Sequence, residues 1–68
     1  MAASAQRLHP HRFALSFEFV EERPDGEWGD AWVWDMDDPK QATVRWLGCI
    51  SYESAKWYAD YHGYPFHD

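Results

Sequence analysis

RFALSFEFVEERPDGEWGDAWVWDM, residues Arg12–Met36, is the stretch whose reading decides the fold. Phe13, Leu15, Phe17 and Phe19 alternate with Ala14, Ser16, Glu18 and Val20. Strict alternation of this kind places one set of side chains on each face of a strand, so a first strand is expected over Arg12–Glu22. Arg23-Pro24-Asp25-Gly26 is a turn: proline presets the dihedral of the first central position, and glycine supplies a positive one. Glu27–Met36 alternates again, with Trp28, Asp30, Trp32, Trp34 and Met36 against Gly29, Ala31, Val33 and Asp35. Two alternating runs joined by a short glycine-containing loop predict a hairpin. The tryptophan face is expected beside the Phe/Leu face of the first strand, where cross-strand aromatic pairs stabilise a sheet.

Outside the hairpin the signals are shorter. His9-Pro10-His11 cannot continue a helix, and residues 1–11 are expected to be a flexible tail. Asp37-Asp38-Pro39 ends the second strand. Thr43–Ile50 is expected to be a third, with Val44, Trp46 and Ile50 on one face, Leu47 and Cys49 on the other, and Gly48 marking a bulge or a close approach. Ser51 is a helix cap, and Ala55, Tyr58, Ala59 and His62 follow at helical spacing up to a stop at Gly63 and Pro65. The expected fold is α+β: a three-stranded antiparallel β-meander with one C-terminal helix packed on one face. Residues 12–68 would form this single small domain.

A chain of 68 residues with one cysteine, Cys49, has no intrachain disulfide to compensate for a small core. Its resource is aromatic: five Trp, four Tyr and four Phe, each able to bury roughly 150–250 Å². No apolar run is long enough to span a membrane, and the N-terminal residues lack a signal core. A lone thiol fits a reducing cytoplasm.

Charge is the second strong signal. Between Glu18 and Asp38 stand nine carboxylates and one base, Arg23, for a local charge of −8 in a chain of net charge −6. The acids are Glu18, Glu21, Glu22, Asp25, Glu27, Asp30, Asp35, Asp37 and Asp38. A solvated sheet face would carry acids for solubility and edge protection. Here the acids are spread over both strands, the turn and the following loop, and are expected to form one continuous surface. Such a field repels nucleic acid and anionic membrane and attracts a basic partner. Acids on one strand face repeat at about 6.6 Å, whereas duplex DNA carries one charge per roughly 1.7 Å. A carboxylate ribbon would therefore imitate the field of DNA, as a decoy, without matching its register.

Trp32, Trp34 and Trp46 are expected in the core. Trp28 and Trp57 are the candidates for exposure, Trp28 as an interface anchor beside the acids. The aromatic tail, Tyr58, Tyr61, Tyr64 and Phe66, would suit self-association equally well. The four histidines, His9, His11, His62 and His67, lack the cysteine-containing spacing of a closed zinc site, so no metal or other cofactor is expected. Cys49 between Gly48 and Ile50 reads as a small buried hydrophobe. No phosphate loop or nucleophile motif is present, and no enzyme activity is expected.

In length, meander-plus-helix pattern and the Glu18–Asp38 acid cluster, the chain resembles the small acidic inhibitors of phages and mobile elements, chiefly the anti-CRISPR proteins. The resemblance implies a non-enzymatic inhibitor in the host bacterial cytoplasm. It would bind a basic, nucleic-acid-holding surface such as that of a CRISPR effector subunit, through the nine acids and Trp28. Two other readings stand beside it: an antitoxin or immunity protein against a basic nuclease, and a homodimeric structural protein.

Overall fold

The computed structural model describes residues 11–68; of the expected tail over residues 1–11, residues 1–10 lie outside them, and His11 is paired with Asp35. The elements in chain order are β1 (Phe13–Arg23), β2 (Gly26–Asp35), β3 (Thr43–Ser51), α1 (Tyr52–His62) and β4 (Phe66–His67). The fold is α+β, and the sheet order is β3-β2-β1-β4. The first three strands form the expected antiparallel meander. The sequence reading omits β4, which adds Phe66 and His67 in parallel beside Leu15 and Ser16. A parallel partner requires a crossover, and α1 supplies it by carrying the chain from the β3 edge to the β1 edge.

The helix begins and ends as its sequence dictates. Ser51 Oγ accepts the Ser54 backbone N–H at 3.0 Å. Gly63 takes the left-handed conformation, φ 72°, and the N–H groups of Gly63 and Tyr64 return to the carbonyls of Asp60 and Ala59. This is a Schellman close. Ala55 and Ala59 are completely buried, so the helix seats through small residues and lies close to the sheet. Under it are Leu15, Phe17, Ala31 and Val33, with Phe13, Leu47, Ile50, Tyr52, Tyr58, Tyr64 and Phe66 around the edge. Burying Leu15 in full contributes about 1.5–3 kcal/mol.

The hairpin register corrects the expected placement of the tryptophans. At the turn, Arg23 pairs with Gly26 and Glu22 with Glu27. Continued along the strands, this register would set Phe17 opposite Trp32. Val20 interrupts it: Phe19 pairs with Gly29 and Glu21 with Trp28, leaving Val20 as an extra residue in β1. A bulge of one residue moves the pairing by one and reverses the faces. Leu15 then faces Val33, Phe17 faces Ala31, and Ser16 faces Trp32. Trp32 and Trp34 stand on the face away from the helix. In β3 a second shift at Leu47 pairs Trp46 with Trp32 but Gly48 with Ala31. Trp46 and Ile50 therefore lie on opposite faces, and Trp46 is 59% exposed. Cys49, expected to be buried, is exposed on this edge strand opposite Asp30.

Gly29 shows how tightly the bulged hairpin closes. A Cβ built there would collide with the Glu18 carbonyl and lie 2.8 Å from Phe17 Cζ. Backbone cannot yield as a flexible side chain can. Gly29→Ala should destabilise the fold by about 1–3 kcal/mol, measured as a lower urea midpoint with an unchanged slope.

Candidate functional site

The nine acids fall into two groups at opposite ends of β2, whose ten residues span roughly 33 Å. The expectation of one continuous surface is thereby corrected. Asp35, Asp37 and Asp38 build the connection between β2 and β3. Asp35 is 6% exposed; its carboxylate is paired with His11 Nδ1 and accepts the Asp37 backbone N–H at 2.9 Å. Asp37 accepts Arg12 Nη2 at 2.7 Å and the Arg12 backbone N–H at 2.8 Å. Asp38 Oδ1 accepts the Lys40 N–H at 2.9 Å, in a loop where Gln41 has a positive φ of 52°. These three acids hold the loop and anchor the start of β1. They are structural because their charge is already matched or spent on backbone donors.

The other six, Glu18, Glu21, Glu22, Asp25, Glu27 and Asp30, lie together on the distal half of the hairpin. Beyond Phe17 the β1 side of the hairpin is open, and every residue from Glu18 to Asp25 is exposed. The two strands continue there as an arm whose β1 edge is open and whose β2 edge is paired with β3 as far as Trp28. Glu18, Glu21 and Asp30 share its open face with Trp28, whereas Glu22 and Glu27 lie on the other. Arg23 is the only base on the arm: it pairs with Glu21, and its guanidinium carbon lies 4.1 Å above the Trp28 ring. The side-chain hydrogen bond to Glu21 raises the Arg23 pKa further above its ordinary value. Trp28 Nε1 donates to Asp25 Oδ1 at 2.9 Å, so Trp28 is half-buried and held within the arm.

Two like-charge pairs result. Glu22 stands directly across from Glu27, and Glu18 across from Asp30. Among the described residues none of these four carboxylates has a basic partner. Directly opposed like charges destabilise a sheet. The arm also exposes Phe19 and Val20, at 55% and 51%.

The acid field extends past the hairpin onto the helix start. An open depression of about 490 Å³ beside the turn is lined by Asp25, Glu27, Tyr52, Glu53 and Asp68, among others. The Tyr52 hydroxyl donates to Asp68 at 3.1 Å, and this bond raises the phenol's pKa. Glu53 and Asp68 are distant from the acid run in sequence, and only the placement of the start of α1 and the residue after β4 beside the turn brings them in. The tryptophan surface was also missed, for the register reason given above; Trp57 is exposed as expected, at 63%.

No group of three or more His, Cys, Asp or Glu suited to a metal ion occurs among the described residues. No helix among them is long and apolar enough to cross a membrane. No family model, curated protein or solved structure matches the chain.

The Arg12–Asp37 pair gives the loop a pH signature. Hydrogen bonds from the Arg12 side chain and backbone lower the Asp37 pKa from 3.8 to about 2. A carboxylate whose pKa is depressed on folding stabilises the fold above its unfolded pKa and loses that contribution as the pH falls through the folded one. Asp37→Asn should therefore lower the Tm at pH 7, and the gap to wild type should close between pH 3.8 and about 2. Thermal scans across that range would show a constant gap if the ion pair were irrelevant.

Proposed function

We propose that this chain is a non-enzymatic inhibitor whose acidic arm occupies a basic, nucleic-acid-holding groove on another protein, as the anti-CRISPR proteins do. The observation that carries the reading is the Glu22–Glu27 pair: two carboxylates on directly paired residues, without a base among the described residues, one residue beyond the last β2–β3 pair, Trp28–Ser51. In a domain of this size stability is scarce, and opposed charges reduce it. A partner supplying Arg or Lys on both sides of the arm would convert this cost into attraction.

The rest of the arm suits the same role. Phe19 and Val20 offer an apolar contact amid the acids, and central apolar contacts surrounded by charge are the usual anatomy of a protein interface. The carboxylates give a strong negative field along a narrow ribbon, which enters a groove shaped for a nucleic-acid backbone. CRISPR effectors hold their DNA in such positively charged channels, and a toxic nuclease presents a similar groove; either target places the inhibitor in the bacterial cytoplasm. Homodimerisation is the competing reading, supported by exposed Trp46 and Val44 on the edge strand β3.

Capture from host lysate with the tagged protein should recover a nucleic-acid-binding partner that can no longer bind DNA. Association should be fast and should weaken steeply with salt. Simultaneous reversal of Glu22, Asp25 and Glu27 to Lys should weaken capture at least tenfold at low salt while the circular dichroism spectrum is unchanged. Full-strength capture by that variant would remove the arm from the interface, and recovery of the chain alone as a salt-resistant dimer would favour the oligomer.

A further inference from the structure

The face of the sheet away from α1 carries an aromatic surface that the core does not use. Trp32 and Trp46 are stacked, with ring centroids 5.9 Å apart and planes 20° from parallel. Trp34 Nε1 donates to Ser16 Oγ at 2.8 Å, and the His67 ring lies 5.6 Å from Trp34. Trp46 is exposed, and Trp32 and Trp34 are partly exposed, Trp34 with His67 beside it. Glu18 and Asp30 are paired across the same face, with Asp30 two residues from Trp32 on β2.

One guanidinium already sits on this face. Arg23 lies over Trp28 and is paired with Glu21, and Glu21 is the cross-strand neighbour of Trp28. An indole beside a carboxylate thus holds an arginine at the tip of the arm. The arrangement recurs further along, where Trp32 and its stacked partner Trp46 lie next to the Glu18–Asp30 pair. There the carboxylates have no base among the described residues.

We infer that the helix-free face is an arginine-docking platform. Trp32, Trp34 and Trp46 receive guanidinium groups of a basic protein partner, and Glu18 and Asp30 take their charge. The inference rests on the acidic-inhibitor reading and extends it from the arm's rim to the sheet face. It also specifies the partner's chemistry. Guanidinium is planar, weakly hydrated and stacks flat on an indole, whereas an ammonium is a strongly hydrated point charge. Aromatic platforms on sheets also stack nucleic-acid bases, but here Glu18, Glu21 and Asp30 would repel the phosphates.

Nona-arginine and nona-lysine peptides, followed by tryptophan fluorescence at 150 mM salt, test the platform. Nona-arginine should bind about fivefold or more tightly than nona-lysine. Trp46→Ala, at an exposed edge position, should abolish that preference while leaving nona-lysine binding unchanged, and Trp46→Phe should restore part of it. Equal binding of the two peptides by the wild type, or a preference that survives Trp46→Ala, would overturn the platform. So would binding of a dT15 oligonucleotide, or a dimer that depends on Trp46 and resists 1 M NaCl. The Glu22/Asp25/Glu27 reversal separates the two proposals: it should weaken both peptides alike and keep their ratio. A ratio of one with both weakened refutes the platform alone; a retained preference with neither weakened refutes the acidic arm alone.

Discussion

One extra residue in β1, Val20, controls which side of the sheet is dry. The tight turn at Pro24 and Asp25 starts the hairpin in one register, and the bulge at Val20 moves it to the next. Because side chains alternate with a period of two, a shift of one residue exchanges the faces of β2 relative to β1. Leu15 and Phe17 thereby meet Val33 and Ala31, small and medium residues. The helix can then approach on Ala55 and Ala59. Had the indoles of Trp32 and Trp34 lain under the helix, two alanines could not have seated it at this distance. Close packing on one face and aromatic exposure on the other follow from the same bulge.

The bulge also divides the hairpin along its length. Below it, β1 and β2 have the helix on one side and neighbours β3 and β4 at the edges. Beyond it the hairpin carries Glu21, Glu22, Asp25 and Glu27 with a single arginine, and β3 flanks β2 only as far as Trp28. The arm orders its own tip through Arg23, Glu21, Trp28 and Asp25, and this leaves the opposed pairs Glu18–Asp30 and Glu22–Glu27 available to a partner. A preordered, one-sign surface loses little entropy on binding and steers a basic partner at long range. The loop acids at the other end do the opposite work: they are bound to Arg12, His11 and backbone N–H groups within the molecule and fix the junction of β2 and β3.

Much of this was legible along the chain. Alternation marked β1 and β2 to within one residue at each end, Ser51 and Gly63 marked the helix ends, and Gly48 marked an irregularity in β3. The acids of the arm could be counted directly. β4 was not legible, because two residues carry no periodicity and Phe66-His67 becomes a strand only beside Leu15 and Ser16. Nor was the separation of the nine acids, since proximity in sequence along an extended strand is distance in space. Alternation alone puts the tryptophans on the wrong face because Val20 has no local signature: a β-branched residue among apolar and acidic neighbours reads as one more strand position.

The sequence by itself determined the local conformations, since alternation, proline, glycine and capping serine each act through their own backbone and nearest neighbours. It also determined the amount of charge and where along the chain it lies. Only the tertiary structure decided which face is core, because that depends on register, and register is a relation between two strands. It likewise decided which carboxylates are consumed by Arg12, His11 and backbone donors and which face each other unmatched. Electrostatic cost and attraction depend on distances across the fold, which no single segment contains.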